Sequence, residues 1–173
     1  MDKRLLLNPF PDSRTAIRAT LKMLRHEIGM EMWVVARVTD TQVVVIDAVH
    51  SGDVYPVSAG TAFAWADTIC ARMLQGGPQY APYIPAVPEY ANLPVISELE
   101  IGAYLGIPLV DSRGKLLGTL CGVDPGPRQV ELFRRAEPLL RVIGRFLATL
   151  LEREQVAPSE HELPARSANS LLT

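Results

Sequence analysis

The sequence predicts an α+β domain built on a mainly antiparallel sheet. Three observations carry this. Two pairs of apolar runs, the first pair rich in β-branched residues, are each joined by a short polar turn, at residues 32–49 and 103–123. No helical pattern intervenes inside either pair, so each reads as a hairpin and not as a crossover. Helical patterns stand at both ends of the chain and once in the middle, giving the order α-β-β-(β)-α-long loop-β-β-α.

Pro9 and Pro11 block a helix start, and Asp12 or Ser13 offers an N-cap, so the first helix is expected from there to about Ile28, with Gly29 as its C′ residue. Ile17, Leu21, Leu24 and Ile28 form a narrow stripe, of the type that suits helix–helix packing better than burial in a deep core. Residues 32–38 and 43–49 flank Thr39-Asp40-Thr41-Gln42 as the first hairpin, and a short third strand is expected at Val54–Val57. Residues 63–75 read as a helix closed by Gly76-Gly77. Residues 77–97 carry Pro78, Pro82, Pro85, Pro88 and Pro94 together with Tyr80, Tyr83 and Tyr90. Each proline lacks a ladder donor, so a long strand or helix is excluded, while the apolar and aromatic content predicts a packed lid with a short helix near Pro88–Asn92.

The second hairpin turns at Asp111-Ser112-Arg113-Gly114, residues suited to turns by local side-chain bonds and, for Gly, by positive φ. Helical periodicity resumes from Gln129 to about Gln155, where Pro138 predicts a kink or a restart. Beyond it the helix is apolar over roughly half its circumference, where a stripe of about 100° serves one core. That excess predicts a second partner for the helix. Residues 156–173 read as a linker or disordered tail. The terminal helices are expected to pack together on one sheet face, the middle helix and the lid on the other.

Composition narrows the function. At 173 residues, 48% apolar and 21% charged, the chain is expected to be one globular domain. A net charge of −2 lacks the basic footprint of a nucleic-acid binder. No run of about 18 apolar residues is present to span a bilayer, and the N-terminal leucines are too few for a signal-peptide core, so a cytoplasmic location with reduced Cys70 and Cys121 is expected.

Against this frame, residues 102–128 (GAYLGIPLVDSRGKLLGTLCGVDPGPR) resemble the signature hairpin of GAF domains. Pro108-Leu109 and Gly114 stand for the turn motif, and Gly118 with Leu120 for the strand that follows. Residues 64–74 (AWADTICARML) and the closing helix are also similar to that family, and the resemblance spans residues 12–155. It implies a sheet of about six antiparallel strands, terminal helices on one face, and a small-molecule pocket under the other cover. It also implies a regulatory role in bacterial sensors, often as a homodimer, most like domains preceding diguanylate cyclase or histidine kinase output domains. No output domain is present in this chain, which is expected to be either a fragment or a stand-alone sensor.

The candidate ligand-binding residues are polar or thiol groups set among apolar ones: Asp67, Cys70, Tyr83, Tyr90, Tyr104, Thr119 and Cys121. The candidate homodimer interface is Ile17, Leu21, Leu24, Ile143, Phe146, Leu147 and Leu150. Cys70 is followed by Ala71-Arg72 and not by the His common after tetrapyrrole-bearing cysteines, so a buried thiol is expected there and no cofactor is predicted. Cys70 and Cys121 as a redox pair, similar to GAF-fold methionine sulfoxide reductases, form an alternative, as does a ligand-free scaffold. His26, His50 and His161 are too dispersed for a metal site, and no nucleotide-binding or hydrolase motif is present, so no enzyme activity is expected. The expectation is therefore a signalling domain that binds a small molecule and passes the signal through a helical dimer.

Overall fold

The computed structural model describes residues 7–156. Helix α1 (Ser13–Glu27) leads into strands β1 (Met32–Val38) and β2 (Gln42–Val49), then the short strand β3 (Ala62–Ala64) and helix α2 (Ile69–Leu74). A lid follows, containing strand β4 (Tyr80–Ala81) and helices α3 (Pro88–Ala91) and α4 (Pro94–Leu99). Strands β5 (Ala103–Val110) and β6 (Leu116–Asp124) and helix α5 (Val130–Val156) complete the fold. Residues 157–173, read as a tail, lie outside the described residues.

The six strands form one antiparallel sheet in the order β3-β2-β1-β6-β5-β4, so both expected hairpins lie side by side and β1 pairs with β6 at the centre. The hairpin turn between β5 and β6 is held by Asp111, whose Oδ1 accepts from the amides of Arg113 and Lys115 at 2.8 Å, with Gly114 at φ +83°. A positive φ is what glycine allows at no steric cost.

The sheet divides two apolar layers. On one side α1 and α5 bury Ile17, Leu21, Leu24, Leu147 and Leu151 against Trp33, Val35, Leu105 and Leu120. This corrects the expected dimer interface. Ile17, Leu21, Leu24 and Leu147 are fully buried within one chain, each contributing roughly 1.5–3 kcal/mol by burial. The stripe on α1 therefore packs on the sheet, and nothing of it is left for a second copy. Ile143 and Leu150 are half-buried, and Phe146 is exposed beside Val142. The ends of the two helices are clasped: the Ser13 hydroxyl donates to Glu154, and Arg37 Nη2 lies 3.1 Å from Glu154 Oε2.

Helix α5 does not restart at Pro138 but runs through it for 27 residues. The proline faces solvent, and the carbonyl it leaves without a partner belongs to exposed Arg134, within reach of water. The expected third strand at Val54–Val57 is absent. Pro56 lacks an N–H, Tyr55 and Val57 turn inward, and the pairing on β2 is made instead by β3. The middle helix is shorter than expected. Phe63 and Ala64 belong to β3, residues 65–67 form a 3-10 turn, and Thr68 caps α2 by accepting from the Ala71 amide at 3.2 Å.

Two bulges decide which side chains face which layer. Val35 pairs with Asp47 but Ala36 with Val45, so Ile46 is an extra residue. Asp47 is thereby aimed at α1, where Arg18 Nη1 meets it at 2.7 Å, while Val45 stays on the opposite face. Leu109 pairs with Gly118 but Val110 with Leu116, so Leu117 is extra and lies in the helix layer, although simple alternation put it with Thr119.

Candidate functional site

The second face is covered by α2 and the lid. Alternation on β5 and β6 brings Tyr104, Gly106, Thr119 and Cys121 onto this face: Gly106 pairs with Cys121 and Pro108 with Thr119. The lid chain crosses above them in short pieces, because its prolines permit one or two helical turns at a time. Between sheet and cover lies a cavity of about 90 Å³, walled by Val34, Ala36, Val45, Ile69, Val95 and Ile101 among others, with Cys70, Tyr104, Thr119 and Cys121 also lining it.

Those four residues form one cluster. Cys70 Sγ and Cys121 Sγ are 3.1 Å apart. The Tyr104 hydroxyl donates towards Cys70 Sγ at 3.4 Å and Met73 Sδ at 3.6 Å, and it lies 3.8 Å from Cys121 Sγ. Thr119 Oγ1 is 3.6 Å from Cys70 Sγ. The hydrogen bond shared with Cys121 draws the Cys70 pKa below its ordinary value against the opposing effect of burial, and the hydroxyls of Tyr104 and Thr119 assist. The same shared proton, with burial, pushes Cys121 up. The pair therefore holds its first negative charge on Cys70. Burial also raises Tyr104 well above the ordinary phenol value, so it remains a donor.

The remaining predicted residues are placed differently. Tyr90 is fully buried but behind the cluster, its ring edge-on to Tyr104 at 5.8 Å and its hydroxyl donating to the Pro78 carbonyl. It ties the lid to α2's C-terminal turn and does not line the cavity. Asp67, in the 3-10 turn, is exposed, and Tyr83 is 52% exposed; neither faces the cavity. Asp67 is turned outward because the helix it was assigned to begins only after it, at Ile69. Among the described residues no group of His, Cys, Asp or Glu is arranged to hold a metal. His26 lies on an exposed flank, and His50 Nε2 contacts the Val57 carbonyl at 3.0 Å.

Two contributors were not singled out from the sequence. Met73 supplies a thioether to Tyr104, a role visible only as its place on α2's buried face. Gly106 leaves the room that the Tyr104 hydroxyl fills: a Cβ there would stand 1.9 Å from that oxygen. The signal was the glycine inside an otherwise apolar strand.

A second hollow of about 460 Å³ opens on the helix side between Tyr80, Phe133, Glu137 and Arg141. Tyr80 stacks on Phe133 at 4.8 Å, and Glu137 and Arg141 pair with each other at 2.7 Å.

A sequence profile of the GAF domain matches residues 12–151. No curated protein sequence matches the chain. Among solved structures the chain is similar to a far-red cyanobacteriochrome photoreceptor (15% identity, TM-score 0.65, covering 82% of this chain and 87% of that one). It is also similar to the phycocyanobilin-bound GAF domain of a cyanobacterial phytochrome (15% identity, TM-score 0.65, covering 86% and 87%). A third is the GAF domain of Acinetobacter phosphoenolpyruvate-protein phosphotransferase (10% identity, TM-score 0.66, covering 84% and 85%). At such identities the likeness is one of fold.

Proposed function

The chain belongs to the GAF domain family, and on that footing we propose that it is a sensory regulatory domain whose input is a small, mostly apolar molecule held between sheet and lid. The observation that supports this reading is the cover of the cavity face. A long helix would seal such a face; here helices of four and six residues do so, over an apolar cavity also lined by a cluster of hydroxyl and thiol groups. Ligand sites have this composition. At about 90 Å³ the cavity takes a molecule of a few heavy atoms, whereas sites for drug-sized ligands run to about 300–1,000 Å³. A linear tetrapyrrole, as in the similar phytochrome domain, is therefore not the proposed ligand.

The proposed output is a homodimer through α5. Val142, 64% exposed, and Phe146 form an apolar strip flanked by half-buried Ile143 and Leu150. A ligand that favours one lid arrangement over another shifts the population of the two, and α5, which shares the sheet, is the proposed reader. A second reading, a ligand-free scaffold, is favoured by Tyr104 and Tyr90, two fully buried rings that pack edge-on under the lid.

One experiment separates the two readings. The full chain is purified without denaturation, weighed by native mass spectrometry, and melted with a panel of small apolar molecules. Bound mass or a saturable rise in Tm supports the sensor; neither, across the panel, supports the scaffold. Light scattering tests the dimer: Val142→Glu should yield a folded monomer, and a wild type that is monomeric at high concentration would overturn the proposed output.

A further inference from the structure

Cys70 and Cys121 come from opposite layers, one from α2 and one from β6, and stand 51 positions apart in the chain. Two thiols brought to 3.1 Å across a layer boundary need only a small approach to bond. We propose that Cys70 and Cys121 form an oxidation site for small hydroperoxides, closing a disulfide that ties α2 to the central sheet. The proposal does not depend on the small-ligand reading above.

The chemistry balances without a metal or cofactor. The Cys70 thiolate attacks one oxygen of hydrogen peroxide; the O–O bond breaks, and the departing hydroxide takes up a proton and leaves as water. Cys70 is then a sulfenic acid. Cys121 sulfur attacks that sulfur, the S–O bond breaks, and the hydroxide leaves as a second water with the Cys121 proton. Two electrons pass from the thiol pair to the peroxide. The groups around the pair suit this order. Cys70 is the sulfur towards which the Tyr104 hydroxyl donates at 3.4 Å, which favours the nucleophilic thiolate there. Cys121 keeps its proton until the sulfenic acid forms, and is the resolving partner.

The cavity sets the class of oxidant. Both sulfurs line it; Cys70, the attacking thiol, is only 7% exposed, and Cys121 is half-buried. A volume of about 90 Å³ is several times the roughly 10–15 Å³ that one water needs on the same measure. Hydrogen peroxide fits; a glutathione disulfide does not. The thiol pair should therefore respond to peroxide and be slow towards bulky disulfides, the reverse of an exposed thiol.

The test uses the full wild-type chain, reduced and then freed of reductant. It is treated with hydrogen peroxide or with oxidised glutathione, quenched, unfolded and labelled with a maleimide. With peroxide, both thiols should be lost in step, the intact mass should fall by two hydrogens, and a non-reducing digest should yield the peptides of Cys70 and Cys121 joined within one chain. Dithiothreitol should restore both. Glutathione disulfide should leave both thiols free over the same time. Cys70→Ala and Cys121→Ala should each abolish the cross-link and leave the surviving cysteine to gain oxygen. Thiols that remain alkylatable after peroxide overturn the proposal, as do oxygen added to one cysteine of the wild type without a cross-link, or a cross-link only between chains. The wild-type measurement decides the question even if a variant fails to fold.

Discussion

Replacing Gly106 by Ala adds a single methyl group on the cavity face, and its effect can be worked from the contacts. The new Cβ would lie 1.9 Å from the Tyr104 hydroxyl oxygen, 2.5 Å from its ring carbon and 2.9 Å from Met73 Sδ. Ordinary contact begins at 3.4 Å, so the hydroxyl must retreat by about 1.5 Å, the difference between those distances. Tyr104 is 1% exposed and wedged against Tyr90, so its ring has only the small cavity to move into. Overpacking of this kind costs about 1–3 kcal/mol, and displacing the hydroxyl from its sulfur contacts adds about 1 kcal/mol. Against that, Ala in a strand is favoured over Gly by roughly 0.5–1 kcal/mol through backbone entropy. The net expectation is a loss of about 1–3 kcal/mol, or a fall in Tm of about 2–12 °C for a chain of this length. Urea unfolding read by the fluorescence of buried Trp33 measures it, and Tyr104→Phe provides the partner for a double-mutant cycle. Removing the hydroxyl takes away the nearest atom but not the ring carbon behind it, so Gly106→Ala should cost less in the Tyr104→Phe background without becoming neutral. A Gly106→Ala protein as stable as wild type, or an equal cost in both backgrounds, would refute the claim that this glycine exists to admit the tyrosine hydroxyl.

Two further expectations concern the helix layer and the sheet end. Leu147→Ala should destabilise the fold by about 2–5 kcal/mol, whereas Val142→Glu, on the exposed side of α5, should leave the urea midpoint of the monomer within error; loss of self-association without loss of stability in Leu147→Ala would contradict the burial described above. The Glu31 carboxylate accepts from the Ser51 hydroxyl and from its amide at 3.0 Å, and these bonds, the hydroxyl first, hold its pKa below the ordinary 4.5. A lowered carboxyl pKa contributes stability above the unfolded value that is lost as pH falls through the folded one. The stability gap between wild type and Glu31→Gln should accordingly be constant above pH 4.5 and close below it; a gap that ignores pH would refute the assignment.

The hairpins were legible because both their local signals agree: apolar runs of strand length, and turns of Asp, Thr, Ser and Gly between them. The lid was legible for a similar reason, since its prolines exclude a long strand or helix. Neither bulge was. Ile46 and Leu117 look like ordinary alternating residues, and only the pairing across the strands shows that each is extra. The start of α2 was misplaced because Phe63-Ala64 fit a helix as well as a strand, and their pairing with Gln42 and Val43 is a long-range matter. The narrow stripe on α1 and the apolar excess on α5 were read as a dimer seam, yet the sheet buries the stripe and much of the excess. Of the seven candidate ligand residues, Cys70, Tyr104, Thr119 and Cys121 meet at the cavity. Their meeting could not be read from spacing, since 51 positions separate the two thiols and strand parity alone leaves the inward face undecided.

The clasp of Ser13 and Arg37 on Glu154 has a topological consequence. It places the point where the chain enters the fold beside the point where it leaves. A domain arranged this way can be spliced into a surface loop of another protein without forcing that loop's ends apart, and it can be cut at the exposed Asp40-Thr41 turn and rejoined through a short bridge from Val156 to Asp12. It also means that whatever is attached before α1 and after α5 departs from one corner. A change in how those two helices slide past each other is then felt there as a change in the spacing of two neighbouring tethers, and not as a displacement carried across the width of the domain.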